Sequence, residues 1–376
     1  MKKIFILTGE PSGDKLAARV ISQIKNLNLK IQYLSVGGEH LKKLNVETIY
    51  DLKEITYLGF TKVFLNLFKI KKKIKFTVNE IIKYNPDILF SVDSPDFTLR
   101  VAKQVKKFKP LIKTIHFVAP KVYVWRESRV KKLKTFLDQI LLLFPFEKKY
   151  FDKENMNCTF VGHPLLETFQ QDDTNLPILP NIKKKIISIF PGSRLSEVKI
   201  LMPILINFIR LIEKKYDNFF FVFHSTNDLK HIVEDTLSLS YVKNYEIITD
   251  EKIKRNILSR TNFAIAKSGT ISLEISNAQV PSIIIYKMNI INFFIIKLLV
   301  KTRYANILNI ISNSEIIPEL LQTNCNPNKI FSVFESFIEN PHLQKEQLKN
   351  CKNIIDKMKI DIPATKKIAN ILKKEL

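Results

Sequence analysis

The sequence predicts an α/β protein made of two doubly wound, Rossmann-like domains facing a cleft, with helices closing the C-terminus. Three observations carry this expectation. Short, continuously apolar runs alternate with helical patterns along the chain, the mark of parallel strands covered on both faces. The series breaks once, over the polar, Pro-containing stretch 165–185, and then restarts. Glycine is scarce, at 8 in 376 residues, yet Gly9, Gly13, Gly192 and Gly269 all fall in turns that follow such runs. A chain of this length also suits two cores better than one.

Taken in order, residues 3–8 read as the first strand, followed by a Gly turn and a helix from Asp14 to about residue 27. Residues 31–36, 87–92, 112–118 and 138–144 continue the strands, with a helix from Phe97 after the second of these. Beyond the break, strands are expected at 185–190, 218–223, 244–249, 262–267 and 281–286, and helices over 328–376. The expected division is 1–168, 169–345 and a helical tail at 346–376 that packs across the domains or on a partner chain.

Composition narrows the function classes. Apolar residues make up 45% and charged residues 26%, as in a soluble globular protein. The net charge is +24. It reads either as attraction to an anionic partner or as drift in a chain rich in Lys, Ile and Asn throughout. The basic residues are spread rather than striped, and no helix-turn-helix, zinc-finger or RNP pattern occurs, which argues against nucleic acid. Three scattered cysteines, Cys158, Cys325 and Cys351, have no metal-binding spacing and fit a reducing cytoplasm. The apolar run after Lys3 is too short for a signal peptide, and no stretch reaches the roughly 18–20 apolar residues of a spanning helix. Phe60, Val63, Phe64, Leu67 and Phe68 recur at helical spacing beside Lys69, Lys71, Lys72, Lys73 and Lys75. That pattern is either a solvated basic face or a segment touching acyl chains at an anionic membrane surface.

Five motifs sit where strands end. GEPSGD, Gly9–Asp14, offers backbone N–H groups at a helix start, with Ser12 or Asp14 as the cap; it is not a dinucleotide fingerprint. In DSPDF, Asp96 suits the cap of the following helix, which leaves Asp93 for general-base chemistry. HFVAPKVYVWR places His116 at a strand end, as a substrate hydrogen-bonding group or a core histidine, with Tyr123 and the sole tryptophan, Trp125, beyond. FPGSR presents Gly192, Ser193 and a bidentate cation, Arg194, at a helix start, a group suited to a diphosphate; the Lys-Ser/Thr ending of a P-loop is missing. SGTISLE adds Ser268, Gly269 and Thr270 as a second phosphate nest, with Glu274 one turn on, placed to accept two ribose hydroxyls.

These motifs, with LFPFEKKYF, CTFVGHP and VKTRYANILNI, occur in an order that resembles the lipid-A-disaccharide synthase family from about Ile4 to Pro327. The resemblance implies a GT-B fold. It also implies an inverting transfer of acylated glucosamine from UDP-2,3-diacylglucosamine to 2,3-diacylglucosamine 1-phosphate, giving a β-1,6 disaccharide 1-phosphate and UDP. Another GT-B UDP-sugar transferase or a UDP-sugar epimerase is the alternative. Asp93 matches the family's catalytic aspartate, and Arg194 its essential arginine. Gly192, Ser193, Ser268, Gly269, Thr270, Glu274 and Asn309 fall to the UDP-sugar in the second domain, and Ser12, Gly13, Asp96 and His116 to the acceptor in the first. Asn306-Ile307-Leu308-Asn309 stands where the family usually has Ser-Leu-Pro-Asn. The resemblance implies no metal or cofactor, a peripheral position on the cytoplasmic face of the inner membrane with Phe60, Phe64, Leu67 and Phe68 at the lipid, and room for a homodimer.

Overall fold

The computed structural model describes residues 1–56, 67–123, 128–167, 183–289, 293, 300 and 302–376. The chain divides into two compact units, Met1–Glu167 with Met358–Leu376, and Thr168–Lys357.

The first unit holds β1 (Lys2–Thr8), β2 (Ile31–Gly37), β3 (Glu47–Asp51), β4 (Ile88–Val92), β5 (Lys113–Phe117), β6 (Gln139–Leu142) and β7 (Cys158–Phe160). They form one sheet in the order β3-β2-β1-β4-β5-β6-β7 with every pairing parallel. Its helices are α1 (Pro11–Lys25), α2 (Glu39–Lys42), α3 (Lys53–Thr56), α4 (Leu67–Tyr84), α5 (Pro95–Phe108), α6 (Arg129–Leu133) and α7 (Lys148–Asp152). The central strands are buried over most of their length because helices cover both faces: all five residues of β4 and the last five of β1 are enclosed. α1 buries Ala17, Val20, Ile21 and Ile24, spaced three and four apart on one face.

The second unit repeats the plan. β8 (Lys185–Phe190), β9 (Phe219–His224), β10 (Tyr245–Ile248), β11 (Thr261–Lys267), β12 (Ser282–Tyr286) and β13 (Glu319–Leu321) run parallel in the order β10-β9-β8-β11-β12-β13. α8 (Leu195–Lys215), α9 (Lys230–Ser238), α10 (Glu251–Arg260) and α11 (Ile271–Asn277) connect them, followed by helices at Ile307–Ser312, Pro327–Glu339 and Pro341–Met358. Phe334 packs edge-on against Phe208, Phe219 and Phe263, so one ring ties the helix Pro327–Glu339 to α8, β9 and β11.

The sequence misses three strands, β3, β7 and β13. All lie on sheet edges, are three to five residues long and carry polar positions, so no apolar run announces them. α1 and α5 start earlier than expected, at Pro11 and Pro95, because proline favours the first helical turn.

The 346–376 tail does not behave as one block. The helix Pro341–Met358 packs with the second unit, where buried Gln347 donates to Ser282 O (2.9 Å) and accepts from Ser282 N (2.7 Å). The last helix, Ala364–Lys374, returns to α1 of the first unit and buries Ile368, Ala369 and Leu372 there. Thr365 donates its N–H and hydroxyl to the Glu167 carboxylate at 3.2 and 3.1 Å, and Lys113 pairs with Glu375 at 2.9 Å.

Two outcomes follow. Leu372→Ala, at a fully buried site, should destabilise the first unit by about 2–4 kcal/mol. Denaturant unfolding followed by far-UV circular dichroism reads the loss. Acid should weaken the same unit. Burial depresses His116 to about 3 and His163 to about 4, below the unfolded imidazole value, so the stability they contribute is present above pH 6.5 and lost as pH falls below it. Glu147 acts oppositely: burial raises it to about 8, so its contribution is lost as pH rises toward that value. Comparing wild type with His116→Gln, which leaves Glu147 in place, isolates the histidine. The variant's denaturation midpoint should fall less between pH 7 and 5.

Candidate functional site

Each sheet reverses its strand order once, between β1 and β4 and between β8 and β11. At such a point successive helices leave toward opposite faces, and the carboxyl ends of the two central strands stay open to a ligand. The motifs GEPSGD and DSPDF follow β1 and β4; FPGSR and SGTISLE follow β8 and β11.

At the first switch point Asp93 is half-buried just past β4. Its carboxylate accepts the Ser94 N–H (2.8 Å) and, more loosely, the Ser12 hydroxyl (3.4 Å). Asp93 and Ser94 both adopt left-handed backbone, at φ 54° and 46°, and so does Val118 at the end of neighbouring β5, at φ 73°. Non-glycine residues there cost on the order of 1–3 kcal/mol each, most for a β-branched side chain. The turn is held regardless: Asp93 N–H donates to Phe117 O (2.9 Å), and Thr98 Oγ1 donates to Asp93 O (2.7 Å). Gly13 lets α1 approach, since a Cβ there would lie 3.0 Å from Val92 O. Ser12, Gly13 and Asp93 are therefore brought together.

The other acceptor-side expectations change. Neither Ser12 nor Asp14 caps α1. Asp14 is buried and accepts Gly38 N–H (2.7 Å) and His40 N–H (2.9 Å), fixing the end of β2. Asp96 does not cap α5; Ser94 occupies that position, and exposed Asp96 sits 3.9 Å from Arg129. His116 is fully enclosed in the sheet, with Nδ1 2.8 Å from Ser91 Oγ. It is a core histidine in this structure, not one presented to ligand. Tyr123 is buried against Phe146, with ring centroids 4.8 Å apart. Phe60, Phe64 and Trp125 lie outside the described residues. Leu67 opens α4, and Phe68 is 89% exposed on it beside exposed Lys69, Lys71, Lys72 and Lys75.

At the second switch point the turn Gly192-Ser193-Arg194 leads into α8, whose first N–H groups lack intrahelical partners. Gly192 has φ 118°, and a Cβ on it would meet Glu197 Oε2 at 2.6 Å. Glu197 organises the turn. It accepts Ser193 N–H (3.2 Å), pairs with Lys267 Nζ (2.9 Å), and lies 3.6 Å from Arg194 Nη1. The Arg194 side chain is 67% exposed and reaches solvent beyond this contact. Sequence reasoning missed Glu197 and Lys267. The available signals were an acid in the first helical turn after FPGSR and a lysine closing an apolar strand directly before SGT.

Gly269 and Thr270 are exposed at the start of α11, with Thr270 at its N-cap position, and Ser268 Oγ donates to Ala305 O (2.9 Å). Glu274 lies one turn on and pairs with Lys254 (2.9 Å), which also meets Glu251 (2.9 Å). Burial opposes the charge on Lys254, but the two carboxylates outweigh it and raise its pKa. Asn309 is corrected from a ligand group to a structural one. It is fully buried; Nδ2 donates to Ile317 O and Glu319 Oε1 (2.7 Å each), and Oδ1 accepts Ile316 N–H (2.9 Å) and Ile317 N–H (3.0 Å). That leaves its amide no capacity for a ligand. No cluster of metal-ligating side chains occurs among the described residues, and no described helix is long and apolar enough to cross a membrane.

Comparison with known proteins agrees with this layout. The chain resembles in fold an S. aureus MnaA–UDP co-structure (TM-score 0.69, 14% identity, 99% of this chain and 96% of that one). It likewise resembles a UDP-GlcNAc 2-epimerase from Neisseria meningitidis bound to UDP-GlcNAc (TM-score 0.68, 15% identity, 100% of each chain). At such identities the likeness speaks for the fold, the GT-B arrangement of two Rossmann-like units. Sequence relatives speak for the family. The chain is 36% identical over 363 residues to a lipid-A-disaccharide synthase of Rickettsia prowazekii (95% of this chain, 94% of the relative) and 35% identical over 364 residues to that of Rickettsia typhi (96% and 95%). The family model for lipid-A-disaccharide synthetase matches residues 4–372. With that match over nearly its whole length, the chain belongs to the lipid-A-disaccharide synthetase family, glycosyltransferases of lipid A biosynthesis.

Proposed function

We propose that the chain joins UDP-2,3-diacylglucosamine to 2,3-diacylglucosamine 1-phosphate with inversion, forming the β-1,6 disaccharide 1-phosphate and UDP. The observation that carries this reading is the placement of Asp93 and Arg194 at the switch points of the two units. Asp93 takes the proton of the acceptor 6-hydroxyl as that oxygen attacks the donor's anomeric carbon. The bond from this carbon to the diphosphate breaks, and the electron pair leaves with UDP. Arg194, the first-turn N–H groups of α8 and the SGT turn receive the charge that develops on the diphosphate. Glu274 accepts ribose hydroxyls, with Lys254 holding its carboxylate in place.

Two features support the reading. Asp93 sits in a strained turn kept in place by its surroundings, and such strain clusters at functional sites. The fold also matches chains that hold UDP or UDP-GlcNAc. We further propose that Phe68 and the basic face of α4 rest on an anionic bilayer at the cytoplasmic face of the inner membrane.

Asp93→Asn should leave the fold intact and cut turnover by roughly 10²–10⁴-fold, the usual range for a lost general base. Product formation from the two acylated substrates, followed by mass spectrometry, measures it. Full turnover in that variant would remove Asp93 from the role. Arg194→Ala should lower kcat by about 10²-fold or more while acceptor KM changes little, since its charge acts on the leaving group. An acceptor KM that rises with kcat unchanged would place Arg194 elsewhere.

A further inference from the structure

We propose that Lys267 is a second cation for the donor diphosphate, held ready for it by Glu197. The inference rests on the UDP-sugar reading of the second unit. Lys267 ends β11, directly across the switch point from the Gly192–Arg194 turn that follows β8. Its side chain is 17% exposed, and among the described residues its ammonium meets Glu197 Oε1 at 2.9 Å and the face of Tyr286, 5.2 Å from the ring centroid. Arg194 Nη1 approaches the same Glu197 oxygen at 3.6 Å.

One carboxylate therefore serves two cations and the Ser193 N–H as well, and it lies beside the N-terminus of a 21-residue helix. With Arg194 and the first N–H groups of α8 beside the Lys267–Glu197 pair, this turn carries more positive than negative charge, which suits an anion. Because both cations lie within 3.6 Å of one oxygen, they are spaced closely enough for the adjacent phosphoryl groups of a diphosphate to bridge them. Glu197 acts as a positioning residue: it fixes Lys267 and the turn in one geometry before the ligand arrives, so little ordering is left for the binding step.

The test is calorimetric titration of the full chain with UDP and, separately, with uridine. Wild type, Lys267→Met and Lys267→Arg are compared. Met keeps the length and apolar stem of the side chain, so packing beside Tyr286 survives the loss of charge. The expected result is UDP binding weakened roughly 10- to 100-fold in Lys267→Met and less than about 5-fold in Lys267→Arg, the range of one charge-assisted hydrogen bond. Uridine binding should stay within about 2-fold in both. Unchanged UDP binding in Lys267→Met overturns the proposal, and so does an equal loss for UDP and uridine, which would report general disruption. Failure of the wild-type chain to bind UDP would instead remove the UDP-sugar reading beneath it. If Lys267→Met does not fold, Lys267→Gln takes its place under the same criteria.

Discussion

The switch point is the constraint on which the rest depends. A parallel sheet whose order reverses must send successive helices to opposite faces, and no packing of those helices can cover the strand ends where they part. The backbone N–H groups and side chains there have to be satisfied by one another or by a ligand. In both units the sequence meets this demand with a pair of short turns, one from each central strand. In the first unit a carboxylate stands at that place; in the second, cations and helix-terminal N–H groups do. The chemical difference between the units thus follows from which side chains occupy one shared position in one shared topology.

Close approach is what makes the turns rigid. Gly13 admits the carbonyl of Val92, and Gly192 admits the Glu197 side chain. Around Asp93 the backbone is held in a costly conformation by hydrogen bonds from both neighbouring elements, β5 through Phe117 and α5 through Thr98. Strain of this kind persists only when its surroundings over-determine it. The aim of the carboxylate is therefore set by the sheet and not by the turn residues alone.

How much of this was legible follows the same physics. The central strands and the two-unit plan were readable because burial on both faces leaves an unbroken apolar run. Edge strands β3, β7 and β13, with one side against solvent, carry no such mark. The positions of Asp93 and Arg194 could be inferred from motif and strand end. The fates of His116, Asp96 and Asn309 could not, because they turn on which partner a polar group finds. His116 meets Ser91 within the sheet, and Asn309 spends its whole amide on the Ile316–Glu319 segment. Lys267 was hidden for the opposite reason: among 60 basic residues, one more lysine carries no signal until its neighbours are known.

That excess of base sharpens the meaning of the acids. With 36 acidic residues against 60 basic ones, a carboxylate is the scarcer group, and several lie where bulk charge is irrelevant. Asp14 accepts the Gly38 and His40 N–H groups, Glu147 that of Phe144, Glu197 that of Ser193, and Glu319 those of Ala305 and Asn306. Each anchors a loop by receiving main-chain donors, a task that lysine and arginine, having no acceptor, cannot perform. A chain can therefore gain lysines over its surface without disturbing its loops, provided these few acceptors remain. The basic composition and the fidelity of the two switch points are compatible because they depend on different groups.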